Sequence, residues 1–168
     1  MKIKTRKIAL IGILISLAII LGFIERTIPV NFIVPGAKLG LANIVTLISL
    51  YIMTFKEASL VLVGRIVIIS FLFGSLSSLL FSLSGGVLAL IIMGGFIKFD
   101  KTSIIGVSIL GAIAHNVGQL LMAALVINNI NIFYYLPLLL VFAIPTGLLV
   151  GTTSKLMLVF IRNNIKID

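Results

Sequence analysis

The fold of this chain is decided by one long apolar stretch, residues 103–127, which reads SIIGVSILGAIAHNVGQLLMAALVI. Within it Gly111, His115 and Gln119 recur at every fourth position, so a helix places them on one face. Asn116 lies about 100° further round the same helix. Unpaired polar groups in hydrocarbon cost roughly 2 kcal/mol or more each. Either other helices or a ligand must therefore satisfy these side chains.

The composition of the chain indicates that this stretch lies in a membrane. Of the 168 residues, 61% are hydrophobic, and the mean hydropathy is +1.35. A soluble domain of this length could not keep so much apolar surface away from water. The net charge of +9 does not indicate a nucleic-acid partner, because the charges cluster at the ends of apolar runs. We expect an all-α integral membrane protein.

Six apolar segments approach the length of about 20 residues that spans a bilayer. We predict transmembrane helices over about Ile8–Ile24, Leu39–Phe55, Ala58–Phe73, Leu76–Phe99, Ser103–Ile127 and Leu136–Ile161. No cleavage site follows the basic amino terminus, so we interpret the first segment as a membrane helix. The short second and third segments suit a compact bundle. Residues 1–168 are predicted to form a single membrane domain.

The positive charges predict the orientation of these helices. With six spans both termini lie on one side, and that side collects every lysine and arginine except Arg26, Lys38 and Arg65. Arg26 and Lys38 fall on the opposite side, and Arg65 lies within a span. By the positive-inside rule both termini are expected to be cytoplasmic.

Arg65 needs a specific explanation. A guanidinium within a span costs at least about 2.5 kcal/mol on insertion scales, so Arg65 should face the interior of the bundle. Glu57 is about 12 Å away along the same helix, and Glu25 is the acidic residue best placed to reach Arg65. Three interpretations stay open: Arg65 binds carbonyls and amides of other helices, it snorkels to the interface, or it binds an anion.

The other polar residues allow both structural and functional interpretations. His115, Asn116 and Gln119 can form interhelical hydrogen bonds or bind a ligand, and their grouping favours a ligand. Lys38 and Asn43 can join the same pocket. No second histidine, cysteine or suitable carboxylate is present to complete a metal site. The chain also lacks a phosphate-binding glycine-rich loop and a magnesium-binding carboxylate cluster, so we expect neither catalysis nor a cofactor.

Two connections have alternative interpretations. The longest loop, residues 25–38, interleaves apolar and polar side chains and is either a lid over the bundle or a plain connector at the headgroups. The turn before the fourth helix contains Ser75 and Ser78, which favour close packing or bind a ligand. For most of the serines in this region, packing is the simpler explanation.

Three stretches of the chain resemble a known family: PGAKLGLANIV at 35–45, FGSLSS at 73–78 and GAIAHNVGQ at 111–119. They resemble the Gx transporter family, often labelled heptaprenyl diphosphate synthase component I. That family is related to the substrate-binding S components of energy-coupling factor (ECF) vitamin transporters. The resemblance implies an S-component-like bundle of six helices in the cytoplasmic membrane of a bacterium, with a site near the outer face.

Carried over position by position, the resemblance implies a binding pocket and a docking surface. The pocket is framed by Lys38, Asn43, Ser75, Ser78, His115, Asn116 and Gln119, and Arg65 extends it inward. Cationic and amide donors favour an anionic or carbonyl-rich solute, such as a flavin-, quinone- or isoprenoid-related compound. The docking surface consists of small residues on the first helix, which here are Ala9, Gly12 and Ser16. Their pattern is altered, so three alternatives stay open: docking on an ECF coupling subunit with its ATPases, docking on a dedicated membrane partner, or solitary action.

We carry three hypotheses for the function. The first is a substrate-binding membrane subunit of an uptake transporter. The second is a non-catalytic subunit or scaffold for prenyl diphosphate synthesis, since Asp100 and Asp168 are the only aspartates and both are isolated. The third is a solitary carrier.

Overall fold

The computed structural model describes residues 5–28, 39–99 and 102–164. Six α-helices occur in these ranges: α1 (Thr5–Thr27), α2 (Leu41–Ile52), α3 (Phe55–Phe73), α4 (Leu76–Lys98), α5 (Ile104–Ile127) and α6 (Leu136–Asn164). A short 3₁₀ helix, Ile130–Tyr135, precedes α6. No β-strand occurs within the described ranges, so the prediction of an all-helical protein is confirmed.

Four helical segments are long and apolar enough to cross a membrane. They are α1, α4, α5 and the segment of residues 130–164 that contains α6. The other two helices differ from them in length or charge. α2 has only 12 residues, and α3 carries Lys56, Glu57 and Arg65 along its 19 residues.

Side-chain caps determine where several helices begin. Thr54 Oγ1 accepts a hydrogen bond from the Glu57 backbone N–H at 3.4 Å, and the Glu57 carboxylate accepts one from the Thr54 N–H at 2.9 Å. Ser75 and Ser78 form the same type of capping box at the start of α4. Ser103 caps α5. These bonds satisfy N–H groups that have no partner within the helix.

The length of α2 is the largest difference from the predicted helices. The segment predicted over Leu39–Phe55 is helical only over Leu41–Ile52. Gly40 precedes the helix with a φ of 77°, in the left-handed region that favours glycine. At the other end Thr54 already caps α3. Residues 39–40 and 53–54 are therefore not helical, and Phe55 already belongs to α3.

The short helix α2 lies at the centre of the bundle. It contacts α1, α3, α4 and α6, and most of its side chains are buried. The remaining helices form an arc around it, in which α1 contacts α3, α3 contacts α4, α4 contacts α5 and α5 contacts α6. A helix so short can fill only part of the depth of the arc, since it is about 18 Å long.

Contacts between α1 and α3 define the two ends of the bundle. Lys7 near the start of α1 binds Glu57 near the start of α3. Arg26 near the end of α1 binds the backbone of Phe73 at the end of α3. We refer to the Lys7 end and the Arg26 end. The charge pattern predicts that the Lys7 end lies on the side that carries both termini.

Glycines allow α4, α5 and α6 to approach one another closely. A Cβ atom on Gly118 would lie 2.8 Å from the carbonyl oxygen of Ser84 in α4, and one on Gly147 would lie 2.7 Å from the Cα of Ile109 in α5. The Ser84 hydroxyl donates to the Gly118 carbonyl at 2.7 Å. Gly151 also packs closely, since a Cβ atom on it would lie 2.8 Å from the Cα of Ile105 in α5.

Candidate functional site

A cavity of about 100 Å³ lies between the helices near the Arg26 end. Helices α1 to α5 all contribute to its wall, and its polar lining includes Glu25, Arg26, Asn43, Arg65, Ser82 and His115. One water needs roughly 10–15 Å³ of such space, so the cavity has room for about seven to ten groups of that size. We call it the first cavity.

Arg65 is the buried cation of the first cavity. Only 6% of its surface is exposed, as its position within a span predicted. Its Nε donates to Thr46 Oγ1 at 3.1 Å, and its Nη2 donates to Asn43 Oδ1 at 2.7 Å. Both partners are uncharged side chains of α2. Among the described residues Arg65 forms no salt bridge, although the Glu25 carboxylate attracts it electrostatically from the same cavity.

Two consecutive residues at the end of α1, Glu25 and Arg26, line this cavity and bind neighbouring parts of the chain. Glu25 Oε1 accepts a hydrogen bond from the Gly40 N–H at 2.7 Å, which ties α1 to the start of α2. Arg26 donates to the Phe73 carbonyl, and its guanidinium carbon lies 5.9 Å from the centre of the Phe73 ring. Sequence reasoning did not select Arg26 as a site residue. The sequence feature that could have identified Arg26 is its position beside Glu25 at the end of the first apolar segment.

A second cavity of about 30 Å³ adjoins the first. Asn43 and His115 line both cavities. Asn116 lines the second, and its side-chain nitrogen donates to the Leu139 carbonyl of α6 at 2.9 Å. The structure therefore brings together four of the predicted site residues, namely Asn43, Arg65, His115 and Asn116.

The other predicted pocket residues are placed differently. Gln119 lines neither cavity and packs against α4, where a Cβ on Gly85 would lie 2.7 Å from its Cγ. Ser75 and Ser78 line neither cavity and form the capping box of α4. Packing and capping account for these three side chains. Lys38 lies outside the described residues.

The predicted docking residues Ala9, Gly12 and Ser16 share an exposed face of α1. A Cβ atom on Gly12 would meet nothing within 4 Å. The Ser16 hydroxyl donates to the Gly12 carbonyl of its own helix at 3.0 Å. No described part of the chain covers this strip of small residues, so it is accessible to lipid or to another protein.

The first cavity is suited chemically to hydrogen bonding with an anion. Two guanidinium groups and one carboxylate line it, and arginine is well suited to bind carboxylate and phosphate groups. In the ranges that the structure describes, no group of three or more His, Cys, Asp or Glu residues could hold a metal ion. The hydrogen-bond donors that line the first cavity therefore suit an anionic or a carbonyl group.

The comparison with known proteins identifies a family. The sequence profile of the family described as heptaprenyl diphosphate synthase component I matches residues 14–157. No curated protein and no solved structure matches the chain. The matched range runs from α1 into α6 and contains both cavities. Because the match covers most of the sequence, the chain belongs to the heptaprenyl diphosphate synthase component I family, as its three motifs predicted.

Proposed function

We propose that this protein is the substrate-binding membrane subunit of an uptake transporter for a small anionic or carbonyl-rich solute. The observation that carries the proposal is the environment of Arg65. This cation is buried in the wall of a cavity, and its hydrogen-bond partners Asn43 and Thr46 are neutral. Ionisable groups inside membrane proteins are costly, and they commonly mark the pathways of ions and substrates.

The charges around the first cavity support an anion as the solute. Arg26 and Arg65 together outweigh the single carboxylate of Glu25. Helix α2 begins in the same cavity wall at Gly40, which has no side-chain cap of its own, and the Glu25 carboxylate accepts a hydrogen bond from the Gly40 N–H there. The free N–H groups in the first turn of a helix carry partial positive charge and favour anions.

The size of the first cavity limits what binds inside it. Space for about seven to ten water-sized groups suits a phosphate or carboxylate group with a few attached atoms. A flavin-, quinone- or isoprenoid-related compound would place its anionic or carbonyl end there. The rest of such a molecule would extend beyond the described cavity.

The proposal includes a topology and a partner. We place all six helices across the cytoplasmic membrane of a bacterium, with both termini in the cytoplasm and the Arg26 end outside, as the positive charges predict. The cavity then faces the side from which a solute is taken up. The uncovered face with Ala9, Gly12 and Ser16 is suited to dock a coupling subunit, because small residues let helices approach closely.

The family description favours a second candidate function. "Component I" implies other components, so the chain would be a membrane subunit of a prenyl diphosphate synthase. Its role would be non-catalytic, because the sequence has only two aspartates, Asp100 and Asp168, too few for an aspartate-rich magnesium site. This function requires a stable complex with a prenyltransferase and no bound solute.

Native mass spectrometry of the protein in mild detergent, followed by identification of any bound small molecule, tests the proposal. The variants are Arg65→Gln and, as a matched control, Arg162→Gln, which changes an exposed arginine in the last turn of α6. We expect one solute per protein in the wild type and in Arg162→Gln. Occupancy should fall about tenfold or more in Arg65→Gln, since hydrogen bonds to a charged group contribute about 1.5–3 kcal/mol.

Two outcomes would contradict the transporter proposal. One is equal occupancy in Arg65→Gln and Arg162→Gln, which would show that the solute does not bind Arg65. The other is a wild type that stays empty after addition of flavins, quinones and prenyl phosphates but retains a prenyltransferase, which would favour the synthase subunit.

A further inference from the structure

The second cavity contains a buried hydroxyl group that no described residue satisfies. Ser108 on α5 is 3% exposed, and its Oγ has no hydrogen-bond partner in the described parts of the chain. It lines the second cavity. Buried polar groups nearly always have a partner, and an unpaired one destabilises the fold. Ser108 therefore contributes a side chain with an unpaired hydroxyl group to the wall of this cavity.

The other walls of the second cavity limit the chemistry of that group. Asn116 and Thr146 line it with Ser108, and no described lining residue is an Asp, Glu, Lys or Arg. Thr146 donates its own proton to the Phe142 carbonyl at 2.9 Å, so its oxygen is available to the cavity as an acceptor. The lining thus suits a neutral group that donates or accepts hydrogen bonds.

The volume of the second cavity limits the size of the group. At roughly 10–15 Å³ for each water-sized group, a space of about 30 Å³ holds about two to three such groups. A hydroxymethyl, carbonyl or primary amide end is of this size. Water molecules would also fit in this space. Binding measurements with matched probes distinguish them from a solute.

The position of the second cavity connects it to the anion site. Asn43 and His115 line both cavities, and Asn43 is also the hydrogen-bond partner of Arg65. We propose that the second cavity is a subsite for a small neutral hydroxyl, carbonyl or amide group of the same solute whose anionic group binds near Arg65. This inference rests on the proposed function. It defines the substrate class as molecules with an anionic group and a neutral polar end.

The test uses two matched series of probes and one anion alone. The first series is the alkyl phosphates from ethyl to hexyl, the second is the corresponding terminal hydroxyalkyl phosphates, and the anion is inorganic phosphate. Dissociation constants are measured in detergent for the wild type, Ser108→Ala and Ser154→Ala. Ser154 on α6 is the matched control, because it is fully buried, its Oγ also lacks a described partner, and it lines neither cavity.

The expected result is a preference for the hydroxyl group that depends on Ser108. At one chain length the hydroxyalkyl phosphate should bind the wild type about three- to tenfold more tightly than the alkyl phosphate, as expected for one hydrogen bond. Ser154→Ala should keep this preference and Ser108→Ala should lose it. Inorganic phosphate should bind all three proteins equally.

The outcomes separate this inference from the function on which it rests. If inorganic phosphate binds the wild type but the two series bind equally at every chain length, the second cavity holds water only and the subsite is overturned. A preference that persists in Ser108→Ala also overturns it. If neither inorganic phosphate nor either series binds the wild type, the subsite and the anion site are both overturned.

Discussion

Lys7 and Arg65 are two cations that each bind a neighbouring helix, but their surroundings differ. The Lys7 ammonium lies 2.9 Å from a Glu57 carboxylate oxygen, and 46% of its side chain is exposed. Arg65 is 6% exposed, and its described hydrogen-bond partners, Asn43 and Thr46, are uncharged. The chain thus places a carboxylate in direct contact with Lys7, whereas the described hydrogen-bond partners of Arg65 are neutral and Glu25 lines the same cavity without binding it directly.

This difference indicates separate roles for the two cations. The Lys7 ammonium is half-exposed although Glu57 is mostly buried. Solvent therefore screens the Lys7–Glu57 pair, which is a weak local contact between α1 and α3. A buried carboxylate in direct contact with Arg65 would occupy the position that an anionic solute needs. Glu25 instead lies in the cavity wall and binds the Gly40 N–H, which leaves Arg65 able to bind an anion.

Among the changes that test this difference, Asn43→Ala should have the largest effect, because it removes a hydrogen-bond partner of Arg65. The change leaves Nη2 of a buried guanidinium without its acceptor. We expect unfolding in detergent to show a loss of about 1–3 kcal/mol. Added phosphate should restore part of this stability, because an anion can accept the same hydrogen bond.

Asn164→Ala is the matched control for this prediction. Asn164 is exposed and donates to the Phe160 carbonyl of its own helix at 2.9 Å. Its loss should change stability by less than about 0.5 kcal/mol. Equal stability of the two variants would mean that Arg65 does not depend on Asn43.

The next largest effect should come from Glu57→Ala at the other end of the bundle. This change removes the ion pair with Lys7 and the side-chain half of the capping box with Thr54. We expect a loss of about 1–2 kcal/mol in unfolding measurements, with phosphate binding unchanged. Glu57→Gln keeps a capping-box side chain and should lose less. An equal loss in both variants would assign the effect to charge alone.

The smallest effect should come from Lys7→Gln. The half-exposed ion pair is screened by salt, so we expect a loss of at most about 1 kcal/mol at low salt. The difference from the wild type should shrink in high salt, while phosphate binding stays the same. Lys155→Gln, at an exposed position of α6, is the control. A loss that persists in high salt would show that Lys7 acts through packing.

The positions of several helices could be predicted because their ends are marked locally. Ser103 caps α5, and Ser75 with Ser78 caps α4, so the predicted starts agree with the observed ones. The end of α2 was harder to predict, because Met53 and Thr54 join two apolar runs without a glycine or proline. The capping box of Thr54 separates the two helices.

The candidate site could be predicted only in part. Arg65 was expected to face the interior because a guanidinium in lipid is costly, and Asn43, His115 and Asn116 were expected near it. Thr46 as a partner of Arg65 could not be predicted, since the pairing joins residues of two different helices. Ser78 was expected near the pocket, but its Oγ accepts a hydrogen bond from the Ser75 N–H in the local capping box of α4.

The sequence by itself determined the membrane class, the helical segments and the need to shield Arg65, because these depend on composition and local chain chemistry. Only the tertiary structure decided that the short helix α2 is central and which polar side chains meet around Arg65. The physical reason is that lipid and protein interior are both apolar. Hydrophobic periodicity then does not mark which face of a helix is buried, so helix neighbours are set by close packing and interhelical hydrogen bonds.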